Sequence, residues 1–491
     1  MTSHHVRRFV ASVAVLSLGP IPARAQRDDA VRRVTLQQAV EIALAQGHQA
    51  RAAAAARDAA RYRHDAFYSR LLPQLSLTGT LPSYNRSIIP VLQPDGSTLF
   101  RAQNQTEAEL GASLSQTLPF TGGSIFMQSS LSRISVSGTE NLLTWSSTPF
   151  VVGLQQPLFQ ANTIGWDRRE QPVRIEAADR QYRESREDVA IQTTLLFFDH
   201  HSAAVELQTA RTNAATNDTL YTLNQGRFQI GSIGENDLLQ SELALLRART
   251  AAAEAELEFE RTKAALLMGL NLPAATGLEI VVPSLPPDFP VDTAIAVTEA
   301  LGNLSVLSAL ELQDVQARRS VAEAKYGNNF SATLTASYGF NATGANFGRA
   351  YDELLNAQRV RFQVDVPIVQ WGAGKEAVRA AEAEREQIAR LAEAQVEQVE
   401  HDARFAALAL VQARRNLALS ATSDTVAQKR FDVAYNRYVI GNISIDNLYL
   451  AQQEKDEARR RFVLALRGYW QAYYRLRRAT LYDFERGERI R

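Results

Sequence analysis

Residues 371–441 read WGAGKEAVRAAEAEREQIARLAEAQVEQVEHDARFAALALVQARRNLALSATSDTVAQKRFDVAYNRYVIG. No proline interrupts this stretch before Gly441, so it predicts one helix of roughly 65–70 residues, on the order of 100 Å long. Apolar residues recur at steps of three and four, as in a coiled-coil seam: Ile388, Ala392, Val396, Val399, Ala403, Ala406 and Leu410. Compact domains are narrower than this, so the helix is predicted to span a gap.

Composition excludes several classes of protein. The 491 residues carry 53 Lys+Arg against 53 Asp+Glu, so no basic excess points to a nucleic-acid partner. Cysteine is absent, which excludes a disulfide framework and cysteine zinc sites. No apolar run of about 18–20 residues follows the N-terminus, so no transmembrane helix is predicted.

The first 25 residues have the pattern of a secretory signal peptide. A basic start with Arg7 and Arg8 precedes an apolar core from Phe9 to Leu18. Ala23-Arg24-Ala25 then gives the small-x-small cleavage pattern, which predicts a mature chain outside the cytoplasm.

The order of elements occurs twice, which indicates internal duplication. Arg227-Phe-Gln-Ile-Gly231 corresponds to Arg437-Tyr-Val-Ile-Gly441 at the reversal of each long helix. The predicted division is a signal peptide (1–25), a first repeat (26–270) with strands in 72–158 and a helical hairpin 163–270, a connector (271–292), a second repeat (293–478) with strands in 328–367 and a helical hairpin 371–478, and a C-terminal tail (479–491).

The predicted strands alternate between apolar and polar residues. In the last of them, Arg361, Gln363 and Asp365 alternate with valine and phenylalanine, which predicts that these three face water in a lumen. Four strands per chain are predicted, too few to close a membrane barrel, so copies must pool their strands; three copies would give about twelve. A β-sandwich beside an elongated coiled coil fits the same periodicity.

The first repeat carries about 45 additional residues between its strands. Residues 82–106 are predicted to form a polar loop. Residues 107–136 either add two strands or form a hairpin or loop beyond the barrel, and their poor alternation favours the latter.

From Leu36 to about Asp483 the chain resembles the TolC-like outer-membrane efflux proteins, most specifically at Gln155–Phe159 and at the two reversals. The resemblance implies a mixed, mainly α fold, in which very long coiled-coil helices form an α-barrel in the periplasm. It also implies a homotrimer with a twelve-stranded outer-membrane β-barrel in contact with lipid. Residues 271–292 and the tail are expected to lie in an equatorial belt.

The implied function is export without catalysis, through a duct docked to a periplasmic adaptor protein and an inner-membrane transporter. The alternative is an elongated periplasmic or surface structural protein without a pore.

The resemblance also assigns a periplasmic gate and a docking surface. In the family a Tyr and an Arg bond to an Asp of the neighbouring hairpin; Tyr438 and Asp237 match the Tyr and Asp, whereas Ile443 replaces the Arg. The innermost carboxylate positions are Asn447 and Leu450, with Asp446 adjacent. The turns with Gly231, Gly234 and Gly441 are expected to face the adaptor.

Motifs for cofactor, metal or catalytic sites are weak. Gly372-Ala-Gly-Lys375 lacks the spacing of a phosphate loop. Asp199-His200-His201 are adjacent on a helix, so their side chains diverge rather than chelate. The sequence therefore predicts a protein that is not an enzyme and has neither cofactor nor metal.

Overall fold

The structure is a computed structural model that describes residues 32–137, 141–282 and 287–490, so the predicted signal peptide lies outside the described residues. The helices are α1 (Leu36–Gln46), α2 (His48–Arg70), α3 (Thr163–Gln229), α4 (Glu235–Gly269), α5 (Thr293–Asn303), α6 (Ser305–Gly327), α7 (Ala373–Val439) and α8 (Ile445–Thr480). The strands are β1 (Arg32–Thr35), β2 (Gln74–Leu92), β3 (Thr98–Thr117), β4 (Ser124–Ser137), β5 (Leu142–Leu158), β6 (Leu278–Val281), β7 (Ser331–Gly344), β8 (Leu355–Asp365), β9 (Tyr482–Asp483) and β10 (Glu488–Arg489).

Two very long helices dominate the molecule. α3 and α7 each have 67 residues, as the sequence predicts, and each is on the order of 100 Å long. Each turns back into a shorter partner, giving the hairpins α3–α4 and α7–α8, and α3 also contacts α8. In α7 the predicted seam is buried where it meets its neighbours, at Val399, Ala403 and Leu410. The mainly α fold with long coiled-coil helices is therefore confirmed.

The main core lies where the hairpins meet the small elements. Phe197, Phe198 and Tyr469 are fully buried there, and the Tyr469 hydroxyl donates to the Pro287 carbonyl oxygen (3.0 Å). Strand β6, from the connector, pairs in parallel with β1. The connector and α1 therefore pack together against the middle of the long helices.

The large sheet is antiparallel and has the order β2-β3-β4-β5-β7-β8. The prediction of a loop over 82–106 is wrong, because β2 continues to Leu92 and β3 begins at Thr98. Pro82 lies where the β2–β3 ladder shifts register, between Thr80 and Ser83. A proline is tolerated there because the shifted position needs no backbone donor, and it interrupts the alternation that identifies a strand.

The preference for a hairpin or loop beyond the sheet at 107–136 is also wrong. These residues belong to β3 and β4, which pair with each other from Asn104↔Ser137 to Thr117↔Ser124 and lie between β2 and β5. Each chain therefore has six strands in this sheet rather than four. In β5 an extra residue between Ser147 and Phe150 breaks the period of two.

The sheet has one apolar and one polar face. Leu75 and Val360 on the apolar face are 77% and 78% exposed. Arg361, Gln363 and Asp365 project from the opposite face, beside Thr335, Thr333 and Ser331 of β7. A broad exposed apolar band of this kind marks a surface that meets something other than water.

Within the described ranges no single helix is long and apolar enough to cross a membrane; α5 and α6, bent by 45° at their junction, meet that criterion only as a pair.

Candidate functional site

The tips, defined as the turns at residues 230–234 and 440–444, have the same backbone geometry. Gly231 and Gly441 have φ of +71° and +82°, a left-handed conformation that favours glycine. In each tip the glycine N–H and the N–H after it bond back to the last helical turn, at 2.9 and 2.8 Å. Gly234 differs, because its φ of −79° is ordinary and it precedes the first residue of α4.

Large apolar side chains project from both tips. Ile230 and Ile440, the residues before the two glycines, are 80% and 69% exposed, and Phe228 is 41% exposed. Because the same position is apolar and exposed in both hairpins, the tips present a repeated apolar contact surface.

Tyr438 joins the two hairpins within one chain. Its side chain is 4% exposed, and its hydroxyl donates to Asn224 Oδ1 of α3 (2.7 Å). Arg227 stacks on the Tyr438 ring at 5.1 Å, and its guanidinium donates to the carbonyl oxygens of Tyr438 (3.2 Å) and Val439 (2.8 Å). Tyr438 is thus held on both sides by α3.

The predicted partner of Tyr438 is Asp237, which lies half-buried in the first turn of α4. A tyrosine hydroxyl has one proton, and here it goes to Asn224. A bond from Tyr438 to Asp237 of the neighbouring hairpin would therefore require this proton to change partner. The Tyr438–Asp237 pair stays a prediction.

The other predicted gate residues share an exposed face of α8. Asp446 accepts a hydrogen bond from Gln240 Nε2 of α4 (2.6 Å), and Asn447 donates to Ser444 Oγ (3.0 Å). Leu450, one turn further along, is 47% exposed. Their neighbours Ile445 and Leu448 are buried in the same chain, so Asn447 and Leu450 point away from it, whereas Asp446 stays bonded to α4.

Above the tips, the α3–α8 interface contains a polar seam: Asn213, Asn217, Asn224, Gln452, Lys455 and Asp456. Asn213 donates to Asp456 Oδ2 (2.6 Å) and accepts from Lys455 Nζ (3.3 Å). In the described part of the chain, Asn217 Oδ1, Asn224 Nδ2 and Gln452 Oε1 are buried without a hydrogen-bond partner. Buried polar groups without a partner make such an interface less stable than an apolar one of the same size.

Sequence reasoning missed the polar seam and Arg227. The spacing of Asn213, Asn217 and Asn224 by four and seven residues is a signal that could have revealed it, because it places asparagines at successive seam positions of one helix. Their hydrogen-bond partners on α7 and α8 lie more than 200 residues away, so no local pattern connects them.

The Asp199-His200-His201 side chains go to different partners. Asp199 pairs with Arg467 (2.9 Å), whereas His200 Nδ1 lies 3.3 Å from Thr262 Oγ1. Burial and the nearby Arg459 lower the pKa of His201 to about 4, so its ring is neutral at pH 7. These contacts serve the packing of α3 against α4 and α8.

Comparison with known proteins gives matches to solved structures but none by sequence. No family model and no curated protein matches the sequence. Among solved structures, the Campylobacter jejuni CmeC outer membrane channel superposes with a TM-score of 0.66 at 17% identity, over 93% of this chain and 86% of that one. The Vibrio cholerae outer membrane protein VceC gives 0.65 at 13% identity, over 93% and 97%.

The chain has the fold of the TolC-like outer membrane factors. The open state of the Neisseria gonorrhoeae MtrE channel also matches, with a TM-score of 0.59 at 15% identity over 93% of this chain and 90% of that one. These neighbours are channels rather than enzymes. In this TolC-like fold the tips are the ends of the helical hairpins farthest from the sheet.

Proposed function

We propose that three copies of this chain form an outer-membrane exit duct, with the sheets closing a barrel in lipid and the long helices extending into the periplasm. One observation carries the proposal: an exposed apolar sheet face is attached to one end of helices on the order of 100 Å long. Lipid covers the apolar face, and the opposite face lines the water-filled lumen with Arg361, Gln363 and Asp365.

The partners follow from the same arrangement. A periplasmic adaptor protein docks on the tips, where Ile230 and Ile440 give each chain two similar apolar contacts. The adaptor connects the duct to an inner-membrane transporter that supplies the substrate. The duct itself only conducts, since its described groups are occupied by packing and helix contacts rather than arranged for catalysis.

The alternative, an elongated structural protein without a pore, is separated by one experiment. Purified protein reconstituted in a planar lipid bilayer is expected to give discrete conductance steps, and a gel is expected to show a trimer band that disappears on heating. Protein that inserts in lipid without any conductance, or that stays monomeric, would favour the structural alternative.

The entrance is expected to close partly by dewetting at Leu450. Three copies would bring three exposed Leu450 side chains, each 47% exposed in one chain, around a narrow axis above Asn447. Water leaves an apolar constriction readily, and ions then cannot pass. Leu450→Ser is expected to raise single-channel conductance.

Leu464→Ser is the matched control for Leu450→Ser. Leu464 is 55% exposed and lies fourteen residues further along α8, two heptads away and so on the same helix face. It lies about 21 Å from Leu450 along the helix, on the side away from the tip. Equal conductance of Leu450→Ser and the unchanged protein would refute the apolar constriction.

A further inference from the structure

The β3–β4 turn is fixed at the helical end of the sheet. The Asn162 side chain, at the start of α3, donates to the Pro119 carbonyl oxygen (2.9 Å), and Gln156 donates to that of Thr121 (3.0 Å). Arg168 of α3 lies over the Phe120 ring at 5.2 Å. The β3–β4 turn therefore lies at the same level as the end of β5, where the chain enters α3.

Both β3 and β4 pair with a neighbouring strand on each side. β3 pairs with β4 from Thr117↔Ser124 to Asn104↔Ser137, while β4 pairs with β5 from Ser124↔Gln155 onward. On its other side β3 pairs with β2 from Gln74↔Ser115. Removing the β3–β4 hairpin from the sheet would break both the β2–β3 and the β4–β5 ladders, so the hairpin is an integral part of the sheet.

The apolar face continues across β3 and β4. The ladder registers align one row of apolar side chains through five strands: Leu75, Leu114, Met127, Val152 and Tyr338. Met127 is 40% exposed and Leu110, on the same face of β3, is 54% exposed. The opposite face carries polar groups, with Ser76 Oγ and Ser113 Oγ 2.7 Å apart. The added strands follow the same two-sided pattern as β2 and β8, which indicates the same surroundings.

The two free edges of the sheet suit a second copy of this chain. β2 leaves the helices and β8 returns to them, so β8 of one copy can pair antiparallel with β2 of the next. Six strands keep this alternation around a ring, because an even number leaves the two edges running in opposite directions. Repetition of one head-to-tail contact then closes a ring without free edges.

We propose that each chain contributes six strands, so that the trimer closes an eighteen-stranded barrel rather than a twelve-stranded one. This inference rests on the proposed function. With strands about 4.8 Å apart and tilted by about 40°, eighteen strands give a backbone diameter of about 36 Å, against about 24 Å for twelve. Side chains occupy about 5 Å on each side, which leaves a lumen of about 26 Å instead of about 14 Å.

The width has a consequence for the substrate class. A lumen of about 26 Å passes hydrated polymers and compact peptides that a lumen of about 14 Å excludes. The barrel end therefore imposes no size limit on small solutes, and selection by size falls to the periplasmic tips.

Single cysteines test which face of β3 and β4 meets water, because the native chain has none. In reconstituted trimers, a membrane-impermeant maleimide is expected to label Ser113→Cys and Gln128→Cys. Leu114→Cys and Met127→Cys, the adjacent residues, are expected to react at least about tenfold more slowly because lipid covers them. Equal labelling of both faces in intact trimers would overturn the inference, since β3 and β4 would then lie in water.

The lumen is measured independently in the unchanged protein. Polyethylene glycols added from the extracellular side are expected to enter the barrel and lower conductance up to a hydrated diameter of about 26 Å. A cut-off near 14 Å would overturn the eighteen-stranded barrel while leaving the duct intact. Failure to form trimers or conducting pores would instead overturn the proposed function.

Discussion

Replacing Arg477 with methionine is expected to destabilise the protein by about 3–5 kcal/mol, because it leaves two buried carboxylates without their cation. Arg477 of α8 donates twice to Glu187 of α3 (3.0 and 3.1 Å) and once to Asp483 of the tail (2.6 Å). The two carboxylate side chains are only 7% and 8% exposed. Burial by itself lowers the pKa of Arg477, but the hydrogen bonds and charge of Glu187 outweigh it, and the net pKa lies above its ordinary value.

The effect is measured as a shift in the guanidinium midpoint of circular dichroism in detergent. Arg475→Met is the matched control, because Arg475 lies two residues away, is exposed and has no ion pair among the described residues; a change within about 0.5 kcal/mol is expected. Adding Glu187→Gln and Asp483→Asn to Arg477→Met should recover stability, since no unpaired charge then remains. Similar midpoints for Arg477→Met and Arg475→Met would contradict the assignment.

Tyr438→Phe is expected to raise the open fraction of the proposed channel about 5- to 150-fold. The substitution removes the hydrogen bond to Asn224, which is fully buried, and leaves the Asn224 carbonyl without its donor. That costs about 1–3 kcal/mol in the arrangement where the bond forms, and each 1.4 kcal/mol is a factor of ten in an equilibrium. The gain requires that opening of the proposed channel separates α7–α8 from α3–α4.

The open fraction is measured by single-channel recording, as the share of time that the channel conducts. Tyr435→Phe is the control, because Tyr435 lies on the same helix, is partly buried and makes no hydrogen bond through its hydroxyl within the described residues. If Tyr438→Phe lowers thermal stability but leaves channel opening unchanged, the Tyr438–Asn224 bond is structural and the gate lies elsewhere.

The alternation of polar and apolar residues predicted some of the strands and missed others. β8 was predictable because Arg361, Gln363 and Asp365 alternate without interruption with apolar residues. β4 was not, because serines occupy both of its faces, and β2 was cut short by Pro82. In β5 the bulge between Ser147 and Phe150 shifts the period of two by one residue, so no single alternating pattern covers the whole strand.

Some residues of the candidate site were likewise predictable from the sequence, and others were not. Gly231 and Gly441 were predictable because a left-handed residue at a helix end is a local requirement. The partner of Tyr438 was not, since Asn224 lies 214 residues away and other polar side chains of the first hairpin have the same chemistry. The position of Asp237 near the tip followed from the sequence, whereas its pairing with Tyr438 stays a prediction.

The sequence by itself determined the long helices, their reversals and the duplication, because helix periodicity, glycine and proline act within a few residues. Only the tertiary structure decided that six strands share one sheet, that α3 holds Tyr438 through Asn224, and that Arg477 binds Glu187 and Asp483. These contacts join residues far apart in the chain, and their register depends on bulges and packing that no local pattern encodes.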